Sequence, residues 1–153
     1  MAFPLLSISA MVFVRATEDE EKVMKALELV LPPEEERKKM KIHIEKKKAK
    51  GVLGNPIIII EAKATRKSDA RKWWEHIRSL LREKDVEYIL HHPDDFMDEF
   101  GIVHLRFDKQ RAYDGVPVLT GGGGVVKIRA QLEAYPAKPE EFRKAFLKLF
   151  ERG

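Results

Sequence analysis

The chain has 153 residues, with 29 Lys and Arg against 25 Asp and Glu and no cysteine. The absence of cysteine excludes a disulfide framework, thiolate catalysis and Cys-ligated zinc. A 44% hydrophobic share supports one core, hence a single domain over residues 1–153, and a charged share of 35% is a loading seen in thermophile proteins.

The opening run MAFPLLSISAMVFV has no basic n-region and is broken by Ser7 and Ser9, and Arg15 closes it short of bilayer length. It reads as a buried strand, with Leu6, Ile8, Ala10, Val12 and Val14 on one face and Ser7, Ser9, Met11, Phe13 and Arg15 on the other. With no longer apolar stretch, the expectation is a soluble cytoplasmic protein. Thr17 is placed to cap a helix through a capping box with Glu20. Val23, Ala26, Leu27 and Val30 form its apolar stripe, and Pro32-Pro33 ends it. Glu34 to Arg37 reads as a connection.

Arg37 to Lys50 (RKKMKIHIEKKKAK) holds eight Lys and Arg and one acid, a local +7, so the rest of the chain sums to −3. Met40, Ile42 and Ile44 alternate with Lys41, His43 and Glu45, which reads as a strand. A stiff element with concentrated cations fits a polyanion contact; it equally fits a solvated hairpin that keeps the protein soluble. After a turn at Lys50 to Pro56, Ile57 to Ala64 is strand-like, and its four isoleucines suggest burial on both faces. Ser68 or Thr65 is placed to cap the next helix, with Ala70, Trp73, Ile77 and Leu80 at helical spacing.

In the second half, His91-His92-Pro93 breaks a helix and four acids follow. Val103, Leu105 and Phe107 alternate with His104, Arg106 and Asp108 as a strand. Val116 to Leu119 reads as a short strand before Gly121 to Gly124. The last strand is the clearest: Val126, Ile128, Ala130, Leu132 and Ala134 face in, and Lys127, Arg129, Gln131, Glu133 and Tyr135 face out. Pro139 opens a final helix with Phe142, Ala145, Phe146 and Leu149 on one side. This order predicts an α+β fold, a mostly antiparallel sheet with helices packed on one face.

The face away from the helices then gathers Met11, Phe13, Lys41, His43, Ile57, Ile59, Glu61, Lys63, His104, Arg106, Lys127 and Arg129. Cations beside aromatic and apolar groups suit phosphate contact and base stacking in single-stranded or looped RNA. Met11, Ile57 and Ile59 equally suit a dimer interface. A second basic group, Lys63, Arg66, Lys67, Arg71 and Lys72, runs into a helix start. His91, His92, Asp94, Asp95 and Asp98 lack metal-ligand spacing and read as a surface turn. Gly121 to Gly124 lacks a nucleotide-loop spacing and reads as a flexible connection. His43 and His104 would serve acid–base RNA cleavage only if their strands were neighbours.

Four stretches in order, Ile8–Val23 (ISAMVFVRATEDEEKV), Gly54–Arg66 (GNPIIIIEAKATR), His104–Gly115 (HLRFDKQRAYDG) and Val126–Lys138 (VKIRAQLEAYPAK), resemble an archaeal family of unknown function described as RNA-binding proteins or predicted exosome subunits. The resemblance implies a fold similar to the ribosomal large-subunit protein that binds 5S RNA, and a homodimer. It supplies no catalytic residues. Its recurrent blocks fall at Gly54, Asn55 and Pro56, at Glu61, Thr65 and Arg66, and at Asp108, Lys109, Gln110 and Tyr113.

The sequence thus points to a non-catalytic RNA-binding protein without metal or cofactor, a possible partner of RNA-processing complexes. Its phosphate contacts are Lys46, Lys47, Lys48, Lys50, Arg66, Lys67, Arg71, Arg106, Lys127 and Arg129, with Phe13 and Tyr113 as stacking candidates. The alternatives are a protein-binding adaptor with incidental RNA affinity and a histidine- or metal-dependent ribonuclease.

Overall fold

The computed structural model describes residues 3–151; Met1 and Ala2 of the opening run lie outside it. Among those residues, five strands make one antiparallel sheet in the order β2-β3-β1-β5-β4. The strands are β1 (Leu5–Arg15), β2 (His43–Lys50), β3 (Pro56–Ala64), β4 (Ile102–Asp108) and β5 (Val125–Leu132). The helices are α1 (Glu20–Val30), α2 (Glu34–Arg37), α3 (Lys67–Leu80), α4 (Glu83–His91), α5 (Pro93–Phe96), α6 (Lys109–Tyr113) and α7 (Pro139–Phe150).

Alternation decides which face is covered. Ile8, Ala10, Val12 and Val14 of β1 are buried, as are Ile60, Ala62 and Ala64 of β3, Val103, Leu105 and Phe107 of β4, and Val126, Ile128, Ala130 and Leu132 of β5. Against them pack the apolar stripes of α1 (Val23, Ala26, Leu27, Val30), α3 (Ala70, Trp73, Trp74, Ile77) and α7 (Phe142, Phe146, Leu149, Phe150). Two indoles tie these helices together. Trp73 Nε1 donates to the Val30 carbonyl at 2.8 Å and Trp74 Nε1 to the Leu149 carbonyl at 3.0 Å, so both buried rings keep their N–H groups satisfied.

Several local expectations are corrected. Asp19, not Thr17, caps α1, its carboxylate accepting from the Glu21 N–H at 2.9 Å. Glu18 turns the chain first by accepting from the Arg15 N–H, which delays the helix by two residues. Neither Thr65 nor Ser68 caps α3: Arg66 holds that position without a side-chain cap bond, because Asp69 binds Arg66 and the Lys41 N–H instead. Glu34–Arg37 is a helical turn rather than a plain connection.

The basic strand begins later than its alternation suggests. Met40 is buried before β2 starts, and the ladder runs from His43 opposite Lys63 to Lys50 opposite Pro56. Val116–Leu119 forms no strand. It bridges once, Leu119 to Phe107, and with the Thr120 N–H on the Arg106 carbonyl it covers the outer edge of β4. Of the isoleucine run, Ile58 and Ile60 turn to the core while Ile57 and Ile59 stay half-buried on the uncovered face, so only one side of β3 is under helices.

Gly101 has φ +75°, and a Cβ built there would lie 2.4 Å from Cδ1 of Phe142. Gly101→Ala combines positive φ with a clash against a core ring, so destabilisation of roughly 2 kcal/mol or more is expected. Urea unfolding measures it; a midpoint matching the parent would show that this packing is not needed.

Candidate nucleic-acid interface

The antiparallel register aligns the uncovered residues in rows across the sheet. One row reads His43, Lys63, Ser9, Arg129, His104; the next reads Glu45, Glu61, Met11, Lys127, Arg106. Beyond them Lys47, Ile59 and Phe13 lie side by side. At about 4.8 Å per strand, a row of five covers about 19 Å. The face is asymmetric: Lys127, Arg129 and Arg106 occupy the β5–β4 half, Glu45 and Glu61 the β2–β3 half, and Met11, Phe13, Ile57 and Ile59 an apolar strip between and beyond them.

Lys63, Arg106, Lys127 and Arg129 make no ion pair among the described residues; Arg106, Lys127 and Arg129 sit on the adjacent strands β4 and β5, and Lys63 lies on β3, across β1 from them. Close unpaired cations of one sign create a potential that a polyanion relieves. Phe13 stands beside this group, 44% exposed, so a ring face is accessible at the apolar strip. His104 Nε2 lies 2.9 Å from Asp98 Oδ2 at the β4 edge. Burial would raise the Asp98 carboxyl, but bonds from His104 and from the Ile102 and Phe100 N–H groups outweigh it and lower the pKa.

The other sequence-predicted cations lie elsewhere or are paired. Strand alternation divides the β2 lysines. Lys47 faces the uncovered side, near Glu45, whereas Lys46, Lys48 and Lys50 share the opposite side. Lys46 is bound to Glu20 at 2.7 Å; Lys48 and Lys50 make no ion pair among the described residues. In α3 and just before it, Arg66 is bound to Asp69, Lys67 to Glu133 and Arg71 to Glu75. Tyr113 is away from the sheet face on α6, with Lys22 and Lys25 ammonium groups 5.4 and 5.8 Å from its ring centre.

The histidines His43 and His104 end up on the two edge strands, with three strands between, so they form no acid–base pair. His91 and His92 each bond a backbone carbonyl of their own helix. Among the described residues no three His, Asp or Glu side chains converge as metal ligands.

Sequence reasoning missed two structural anchors of this region. Lys109 reaches across to the Phe13 carbonyl at 3.0 Å and to Glu18 at 2.9 Å, joining the end of β4 to the turn after β1. Asp69 is buried, with Oδ2 2.7 Å from Arg66 Nε and 3.2 Å from the Lys41 N–H, and so holds the entry to β2 against α3. Lys109 was singled out only as part of a recurrent block, without this role, and the signal for Asp69 was a charged residue beside a strand end.

The fold is an α+β domain with one uncovered antiparallel sheet face that carries unpaired cations and an accessible aromatic ring. The family model for RNA-binding proteins matches residues 7–132, and the chain belongs to this archaeal RNA-binding family. An RNA-binding protein of Pyrococcus abyssi is 38% identical over 87% of this chain and 85% of its own length. The crystal structure of a DUF54 protein from Archaeoglobus fulgidus superposes with a TM-score of 0.81 at 34% identity, over 95% of this chain and 99% of the other. A DUF54 structure from Methanothermobacter thermautotrophicus gives 0.73 at 32% identity, over 97% and 99%. No helix among the described residues is long and apolar enough to cross a membrane.

The Asp69 pKa is lowered first by the hydrogen bond from Arg66, against burial, which raises it, with the Lys41 N–H adding to the lowering. Because the folded value lies below the ordinary 3.8, the stabilisation is complete above that pH and is lost as pH falls through the folded value. Asp69→Asn should therefore flatten the acid side of a stability–pH profile measured by urea unfolding. Parallel profiles for parent and variant would contradict the assignment.

Proposed function

We propose that the protein binds RNA on the uncovered sheet face, without cleaving it. Phosphates dock on Arg106, Lys127, Arg129 and Lys63, and a base stacks on Phe13. The observation that carries this reading is the adjacency of Arg106, Lys127 and Arg129 on β4 and β5, with Lys63 facing Arg129 across Ser9, and none of the four has a carboxylate partner among the described residues. Family membership and the name of the Pyrococcus abyssi relative support it. Glu45 and Glu61 repel phosphate from the middle of the β2–β3 half, so the strand runs along β5 and β4 and meets Lys63 only where Ser9 separates it from Arg129. Arginines fork onto phosphate oxygens; lysines act as point charges. Selectivity along this track is accordingly weak, since phosphate contacts position rather than specify.

The β2 lysines Lys48 and Lys50 extend the field at the hairpin tip, whereas Lys47 lies 3.8 Å from Glu45 and adds less. Lys46, Arg66, Lys67 and Arg71 contribute less, because each would first have to leave a carboxylate. The apolar strip favours a second reading on its own part of the sheet, in which Met11, Ile57 and Ile59 pair two copies of the chain as a homodimer. Ile57→Lys combined with Ile59→Lys would then convert a dimer to a monomer in analytical ultracentrifugation; a parent chain that sediments as a monomer at tens of micromolar would overturn it.

The main reading is tested by salt titration. Each single-strand phosphate neutralised contributes a log–log slope of about −0.7. Joint replacement of Arg106, Lys127 and Arg129 by alanine should flatten the slope by about 2 and weaken binding at low salt at least about tenfold. The corresponding Lys46, Arg66, Lys67 and Arg71 variant should change it less. Equal effects from the two sets, or none from the first, would sink the assignment.

A further inference from the structure

The cationic track ends at a cavity of about 670 Å³, where α4 and α5 wrap the β4 edge. Arg106 and Lys127 line it from the sheet, and Tyr88, Asp95 and Phe96 from the helices. Its size suits a small planar guest. Tyr88 is 54% exposed, stacked on His92 at 4.1 Å and met edge-on by Phe96 at 6.1 Å, so the wall is aromatic and already ordered.

Charge decides what enters. Four carboxylates, Asp85, Asp94, Asp95 and Asp98, share the lining, and they exclude a phosphate from the interior. Three are engaged: Asp85 with Arg82, Asp94 with Arg143, and Asp98 with His104 and its own loop. Asp95 has no side-chain partner among the described residues. An RNA base that enters therefore has to present donors to these carboxylates, while its attached phosphate stays on Arg106 and Lys127 at the sheet end of the lining.

Only one RNA base meets a carboxylate with two adjacent donors on its Watson–Crick edge. Guanine offers N1–H and the N2 amino group, which match the two carboxylate oxygens. Adenine and cytosine set a ring-nitrogen acceptor beside their amino group, and uracil flanks N3–H with carbonyls, so each brings a lone pair against the Asp95 charge. We propose that this cavity receives one unstacked guanine of the bound RNA strand, paired with Asp95 and packed against Tyr88 and Phe96. The inference rests on the RNA-binding reading above and adds base selectivity to it.

The experiment uses the full chain and fluorescence anisotropy with labelled oligouridylates carrying one central guanosine, adenosine, cytidine or inosine. A bidentate base contact predicts about tenfold tighter binding of the guanosine oligonucleotide than of the adenosine or cytidine ones, with inosine between, since it lacks the N2 amino group. In Asp95→Asn the ratio of guanosine to adenosine affinity should fall to about one. Equal affinities in the parent chain, or a preference unchanged by Asp95→Asn, would overturn the proposal while leaving phosphate binding intact. If no oligonucleotide binds at all, the RNA-binding reading falls with it. Free guanosine monophosphate, lacking the rest of the track, should not displace the guanosine oligonucleotide at equal concentration; displacement would show a free-nucleotide site instead and overturn the RNA assignment.

Discussion

The position of β1 between β3 and β5 sets the rest of the molecule. Its buried residues Ile8, Ala10, Val12 and Val14 lie under α1 and α3, and a strand's strict alternation then fixes Ser9, Met11 and Phe13 on the far side. A slip of one residue would turn the apolar set to water and bring Ser9 and Met11 into the core. Burial of four small and branched side chains thereby fixes which residues of β3 and β5 meet across the uncovered face. Lys63 reaches Ser9, Arg129 reaches the same serine from the other side, and Lys127 reaches Met11.

That register separates two populations of charge. Around the helices and the strand ends, cations are matched to carboxylates, as in Lys46 with Glu20 or Arg71 with Glu75, and such exposed pairs contribute little to stability. Across β5 and β4 the lysine and arginines have no such partner among the described residues. A chain with a net charge of only +4 can thus carry a concentrated positive field, because its acids lie around the helices or on the β2–β3 half of the face. The acids that do approach the field, at the α4–α5 cavity, change the chemistry locally from phosphate to base.

Much of this was readable in the sequence, because alternation in β4, β5 and β1 from Ile8 onward reports burial directly. Leu6, expected to face in, is instead exposed while Leu5 is buried, because the register shifts between Leu5 and Ser7. The inward and outward sets of Val126–Leu132 match the observed faces residue by residue. Strand order was not readable: nothing local to His43 or His104 says that they occupy opposite edges. The pairing of charges was hidden for the same reason, since Lys67 meets Glu133 across 66 positions and Lys46 meets Glu20 across 26. The basic hairpin shows the limit most clearly. Its charge run is conspicuous in one dimension, yet alternation sends Lys47 to one side of the sheet and Lys46, Lys48 and Lys50 to the other.

The most direct measurement is amide chemical-shift mapping of the isotope-labelled protein titrated with a short single-stranded RNA. The account predicts that the largest perturbations fall on β5, β4 and the middle of β1, around Ser9, Arg106, Lys127 and Arg129, and fade with added salt. Perturbations confined to α3 and the helix-covered side, with the sheet amides unmoved, would contradict it.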